Sequence, residues 1–253
     1  MDGSTIRGNG TLFDGNVIET MSARSVVQLN AMQLTLAPES RAKVYQGRTI
    51  LEQGASLLRD GKGSVLEAGS LQIAPTAKDA VIQVDVQGPG RIAVSAQSGS
   101  ALVRNSGGVL VADVRAGMAL DFDTQAGAST AVKISGVLEL RNGNYFLTDA
   151  TTHVMSQLQG ANLAQFVGKK VDITGSLIPG ATPLAGATQM VQATGIQLAP
   201  AGAASSAGGA AGGGVAASHA VAIAVIGGIA VGGTVAGLAA VGTFSGESST
   251  SVK

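Results

Sequence analysis

Cysteine is absent from the 253 residues, and so is tryptophan. Without thiols the chain has no disulfide framework and no thiolate metal site. Aromatic residues make up only 3%, so few side chains are available to stack on bases or sugars. Charged residues are also scarce, at 13%, and sixteen basic residues balance sixteen acidic ones. That balance gives no electrostatic steering toward nucleic acid, which is not expected as a partner. Histidine occurs only as His153 and His219, neither at metal-ligand spacing from another donor. There is no G-x-S-x-G elbow, and the carboxylates are scattered rather than paired. GGAAGGG lacks the Lys-Ser/Thr ending of a phosphate loop, and in VGKKV no hydroxyl residue follows Lys169 and Lys170. The residues therefore point to a protein that is not an enzyme and has no metal and no cofactor.

Glycine is abundant, with 37 residues. Three zones of composition follow one another. Residues 1–125 mix charges, β-branched residues and glycine turns. VIQVDVQ places Ile82, Val84 and Val86 on one face and Gln83, Asp85 and Gln87 on the other, the period of a half-buried strand. DGKG, GPG, SGS and NSGG punctuate the zone about every ten residues, as in an antiparallel sandwich, barrel or solenoid. TILEQGASLLRDG is the one stretch here that could carry a helical turn, before Gly54.

The same zone carries a resemblance. GNGTLFDGNVIET is followed by VVQLNAMQLTLAPESRAKV, then TILEQGASLL, then RIAVSAQSGSALVRNSGGVLVADVRAGMALDF. In that order these segments resemble the FecR family of bacterial envelope domains. The resemblance implies a β-domain outside the cytoplasmic membrane. The helical segment through which iron-transport regulators of that family contact a sigma factor has no counterpart here, so no anti-sigma role is expected.

Residues 130–199 form the second zone. Arg141-Asn142-Gly143-Asn144 lies between two strand-like runs, and Asn-Gly is the strongest short hairpin signal. QGANLAQF is long enough for one or two helical turns, and VGKKVDITGSLI and TQMVQATGIQL read as strands. That succession suggests a small five-stranded Greek-key barrel. Gly143–Asp149 together with VGKKVDITG resembles small bacterial periplasmic OB-fold domains. Such folds bind ligands across an open face, so Tyr145, Arg141 and Lys169 are the candidate ligand contacts, with an envelope glycan or protein as partner. Phe146 and Phe166 are expected to pack in the core.

No Asp, Glu, Lys or Arg occurs between Asp172 and Glu247. Residues 200–218 form an Ala/Gly/Ser linker. The run 219–244 is long enough to cross a bilayer as a helix, for which about 20 residues suffice. Residues 245–253 are a polar tail. Gly228 and Gly232, and Gly233 and Gly237, stand four apart, a spacing that lets helices approach closely. MDGSTIRGNG has neither a basic n-region nor an apolar h-region, so export calls for a signal encoded upstream. Lys253 is the one basic residue near the run, and it favours the C-terminus inside.

The expected architecture is therefore mainly β: a FecR-like antiparallel domain, a small OB-like barrel and a C-terminal transmembrane helix. The expected role is non-catalytic binding, sensing or scaffolding at the bacterial cytoplasmic membrane, with the β-domains in the periplasm. The alternatives are a glycine-zipper oligomer whose C-terminal helix is the functional part, and a tail-anchored protein facing the cytoplasm.

Overall fold

A computed structural model of the chain describes residues 10–29, 32–124, 131–184, 186–200, 222–226 and 229–234. Among them the fold is mainly β. Twelve strands come first: β1 (Val17–Glu19), β2 (Ser25–Leu29), β3 (Met32–Leu36), β4 (Arg41–Tyr45), β5 (Arg48–Arg59), β6 (Val65–Ala68), β7 (Leu71–Pro75), β8 (Val81–Val86), β9 (Arg91–Ser98), β10 (Ser100–Asn105), β11 (Leu110–Arg115) and β12 (Ala119–Asp123). One hydrogen-bonded stack runs β1-β4-β5-β6-β7-β10-β11, and the other runs β2-β3-β5-β8-β9-β12.

The long strand β5 belongs to both stacks. Its first half pairs with β4 and β6, and its second half pairs with β3 and β8. The change of partner falls at Gly54, which has φ +78. A Cβ there would lie 2.7 Å from Ser40 Cα, so the chains cross only because the side chain is missing. The Ser40 hydroxyl closes the crossing, accepting from Ala55 N–H at 3.0 Å and donating to Ala55 O at 3.1 Å. The helical turn expected before Gly54 is thus a strand. Thr49 and Leu51 are buried and alternate with more exposed Arg48, Ile50 and Glu52, a period of two rather than 3.6.

Alternation builds the core between the stacks. Ile82 and Val84 of β8 are buried, as are Ile92 and Val94 of β9 and Leu120 and Phe122 of β12. Asp85 and Asp121 stand on the opposite face, each opposite Ala93 of the intervening strand. Burial holds the Asp85 carboxyl above the usual carboxylate range. A hydrogen bond from Gln87 opposes that shift, and the charge of Asp121 adds to it.

Five further strands form the second unit: β13 (Ala131–Arg141), β14 (Asn144–Asp149), β15 (Met155–Gln159), β16 (Lys170–Leu177) and β17 (Gln189–Leu198). They close a barrel in the order β13-β14-β15-β17-β16. Every pair is antiparallel except β15 with β17. Arg141 pairs with Asn144 across Asn142 and Gly143, both at positive φ, as the Asn-Gly signal requires. A single 3-10 turn, Leu163–Phe166, caps one end and buries Leu163 among Leu138, Leu147, Leu158, Val171 and Val191.

The two units touch. The Asp113 N–H of edge strand β11 donates to Thr152 O at 2.9 Å. Val154, just before β15, is buried in the core of the first unit rather than in the barrel. The turn that presents these two residues is organised by Asp149. Its buried carboxylate accepts from Thr151 N–H at 3.0 Å, Thr152 N–H at 2.8 Å, the Thr152 hydroxyl at 3.1 Å and Ser135 N–H at 3.0 Å.

The helix expected over 219–244 is corrected where the structure describes that run. Ala222–Ile226 forms β18 and Ile229–Thr234 forms β19, and the two are paired antiparallel. β19 pairs with β12, and β18 lies against β13. The physical reason is legible in the residues. Val and Ile alternate with Ala and Gly, and Gly227-Gly228 separates two apolar runs by two residues, a hairpin spacing. Among the described residues, no helix is long and apolar enough to cross a membrane. Residues 201–221 and 235–253 lie outside the described part.

Candidate functional site

Two of the three expected ligand contacts come together at the capped end of the barrel. Tyr145 pairs with Leu140 in the β13–β14 register and packs partly buried against the barrel core. Leu138 accepts from Gly168 N–H at 2.8 Å and donates to Lys169 O at 3.0 Å. Gly168, at φ +80, and Lys169 thus both face Leu138, a bulge at which the chain leaves the sheet for the Leu163–Phe166 turn, so Leu140 and Val167 lie at the same end of the barrel. Both are large apolar side chains left open to solvent, Leu140 at 50% and Val167 at 37% exposure. The Lys169 ammonium stands 5.8 Å from the centre of the Phe166 ring. This end of the barrel therefore presents the apolar side chains of Leu140, Tyr145, Phe166 and Val167 and one cation.

Arg141 faces elsewhere. It is ion-paired with Glu139 two residues back on the same strand. Its guanidinium lies 6.0 Å from the Phe146 ring centre, and one nitrogen is 3.9 Å from Met155 Sδ. Phe146 and Gln157 share the outer wall of β14 and β15, and both are buried. What covers them is the connection between β16 and β17. The Leu184 N–H donates to Gln157 Oε1 at 2.8 Å, and Gln157 Nε2 donates to Asn144 Oδ1 at 3.3 Å. Arg141 thus borders a wall that the chain itself closes, and Phe146 is buried there rather than in the barrel core, where Phe166 packs as a partly buried neighbour.

Of the four glycines proposed for helix contact, Gly232 and Gly233 lie in β19, opposite Asp121 and Leu120 of β12. The expected pairs are Gly228 with Gly232 and Gly233 with Gly237, so each pair has one member in this strand. Gly228 and Gly237 lie outside the described residues. His153 has φ +59 in the Asp149 turn, and its buried Nδ1 has no hydrogen-bond partner. No group of three or more metal-ligating side chains occurs among the described residues. A separate cavity of about 370 Å³ opens at the corner of the first unit between β5 and the Gly88–Gly90 turn. Its walls are mostly apolar, and its one carboxylate, Glu52, is taken up by Arg41 at 2.9 Å.

Sequence reasoning missed Leu140 and Val167. Each looks like an ordinary strand or loop residue, and its exposure depends on where the barrel ends. It also missed Asp149 and Val154. Asp149 ends a strand before three residues of turn, which is a readable signal for side-chain capping of backbone N–H groups. Nothing in the sequence marks Val154 as belonging to the other core.

No protein-family model matches this chain. No curated protein matches it either. Two crystal structures of a candidate anti-sigma factor from Parabacteroides distasonis are similar to 44% of the chain, at 13% and 14% identity and a TM-score of 0.35. The similarity spans 55% and 56% of those chains, a little over half their length. At that score the likeness carries no argument about fold or function.

Proposed function

We propose that this chain is a non-catalytic binding or scaffolding protein of the bacterial envelope, with the mouth of its barrel as the recognition surface. The observation that carries the reading is the pairing of exposed Leu140 with Tyr145 at the end of the barrel that also exposes Val167 and carries Lys169 beside Phe166. Large apolar side chains exposed together, next to an aromatic ring and a cation, suit an extended ligand that offers apolar or sugar faces and some negative charge. An envelope glycan or a peptide segment of an envelope protein has that chemistry.

The barrel order, with its parallel β15–β17 pair closing the ring, supports reading the second unit as an OB-like barrel. The FecR-like reading of the first unit rests on its motifs, which fall on β1 to β5 and on β9 to β12. Membrane attachment through the uncharged run 219–244 belongs to the same proposal, with both units on the periplasmic side. Attachment uses residues that the structure pairs with β12, so an anchored chain has to release β18 and β19 from that edge.

Binding is tested by presenting the full chain to immobilised peptidoglycan fragments and to envelope-protein peptides, alongside Tyr145→Ala and Lys169→Glu. At least a tenfold weakening in both variants is expected for whichever class binds. Equal binding by the variants, or none by the parent, overturns the reading. Orientation is tested with protease added to intact spheroplasts. Digestion of residues 1–199 is expected, and protection until lysis would mean a cytoplasm-facing protein.

A further inference from the structure

We propose that the outer wall of the barrel, formed by Phe146, Gln157 and Met190, is a docking site for an extended, uncharged, proline-containing segment of a partner protein, and that the β16–β17 connection occupies it in the free chain. The registers line these residues up. Phe146 of β14 stands opposite Gln157 of β15, and Gln157 stands opposite Met190 of β17. Residues directly opposite share a face, so a ring, an amide and a thioether form one row across three strands. Phe146 and Gln157 are buried although they lie on the outside of the barrel.

The chemistry of the row is read from what the chain itself places on it. Gln157 Nε2 donates to Asn144 Oδ1 at 3.3 Å, and Gln157 Oε1 accepts a main-chain donor, the Leu184 N–H, at 2.8 Å. Pro183, partly buried, stands directly before that N–H. The connection thus offers the wall a main-chain donor flanked by proline, which an extended segment of another protein can offer equally well. The row carries no charge, and neither does the sequence from Ile178 to Thr188. Arg141, at the border of the wall, is taken by Glu139. A charged segment gains nothing from this row, whereas an uncharged one leaves no ion unpaired.

The present occupant is held lightly. Its ends are fixed by Ile178 N–H donating to Met190 O and Thr188 N–H donating to Met155 O, both at 2.9 Å. Between those ends, among the described residues, the Leu184 N–H makes its one hydrogen bond to the barrel. The bonds from Ala181 to Ile178 and from Ala187 to Leu184 stay inside the connection. The Leu184 side chain is 52% exposed, so it adds little to the hold. A segment fixed at its centre by one hydrogen bond opens at far lower cost than the barrel beneath it. Once it opens, Gln157 Oε1 and the Phe146 ring are left for the same chemistry from another chain. This inference does not depend on the barrel-mouth reading.

The probe is a fluorescently labelled, end-capped peptide, Ile-Pro-Gly-Ala-Thr-Pro-Leu, with the sequence of residues 178–184. Fluorescence anisotropy follows its binding to the full chain and to Leu184→Pro, which removes the central donor at an exposed position. Leu184→Pro is expected to take up the peptide with a dissociation constant on the order of 0.1 mM. In the parent the connection competes at an effective concentration in roughly the millimolar range, so binding should be at least tenfold weaker. Leu184→Ala, which keeps the N–H, should behave as the parent does. Methylating the leucine nitrogen of the peptide, or adding Gln157→Leu to the Leu184→Pro chain, should each weaken binding at least tenfold. Far-UV circular dichroism checks folding. No uptake by folded Leu184→Pro overturns the proposal, and so does uptake indifferent to N-methylation and to Gln157→Leu. If Leu184→Pro does not fold, hydrogen exchange in the parent decides. The Leu184 amide is expected to exchange at least a hundredfold faster than the ladder amides of β14, and exchange in step with them overturns the proposal.

Discussion

Replacing Asp149 is predicted to be among the most damaging single changes in the barrel. The side chain is buried and sits at the end of β14, where the chain must turn back within a few residues to start β15. Oδ1 serves Thr151 N–H, Thr152 N–H and the Thr152 hydroxyl, and Oδ2 serves Ser135 N–H across the sheet. Asp149→Ala removes all four interactions at once. The hydroxyl can rotate to another acceptor, but the three backbone N–H groups cannot. A buried donor left without a partner costs about 1–3 kcal/mol, and bonds to an ionised acceptor lie at the upper end of the usual range. Allowing for partial relaxation and water entry, the loss should be about 3–5 kcal/mol, a large share of the total stability of an ordinary domain. Asp149→Asn keeps one oxygen for the two threonine amides but turns an NH₂ toward Ser135 N–H, so it should cost about half as much. Urea unfolding of the full chain, followed by circular dichroism, measures both. The same turn presents Thr152 O and Val154 to the first unit, so exchange of the Asp113 amide should quicken in Asp149→Ala. A loss below about 1 kcal/mol with unchanged exchange would refute the reasoning, because the turn would then hold without its carboxylate.

Other changes probe other parts of the account. Val154→Asp places an unpaired charge in the first unit's core and should destabilise by several kcal/mol. A neutral result in urea unfolding would mean that the units do not dock as described. Gly54→Ala puts a methyl group against the Ser40 backbone at a positive φ and should cost more than about 2 kcal/mol, read as a drop in the unfolding midpoint. Asp85→Asn should raise the thermal midpoint at neutral pH, because the folded state holds the Asp85 proton more tightly than the unfolded chain does. In the parent, that favourable contribution is complete below the ordinary carboxylate range and is lost as pH rises through the raised value. The gap between the midpoints of parent and variant should therefore close in acid, and a gap that widens there would contradict the sign.

Much of the fold was legible because period-two alternation and glycine punctuation act locally. VIQVDVQ gave β8 its buried face, and Arg141-Asn142-Gly143-Asn144 gave the β13–β14 hairpin, since positive φ at two successive positions leaves few other sequences possible. The strand succession of the barrel could be read for the same reason. The segment before Gly54 misled because a long strand that changes sheets carries a glycine where a helix could also stop. The 219–244 run misled more seriously. Length and lack of charge suit a membrane helix, whereas the Gly-Gly spacing with β-branched residues on both sides suits the hairpin found over the described 222–226 and 229–234. Site residues were only half legible. Tyr145 and Lys169 reach the barrel mouth, but Arg141 turns to the outer wall because Glu139 and Phe146 hold it there. The exposure of Leu140 and Val167 and the docking of Val154 depend on which elements end beside one another, and no local pattern records that.

The claim on which the functional reading rests is that the barrel mouth is where this protein meets its ligand. Backbone amide shift mapping of the full chain during titration with peptidoglycan fragments, and separately with envelope-protein peptides, tests it most directly. The account predicts that one class shifts the set around Leu140, Tyr145, Phe166, Val167 and Lys169, and leaves the wall of Phe146 and Gln157 under the β16–β17 connection unchanged. Shifts confined to that wall, to the corner cavity of the first unit or to no site at all would contradict it.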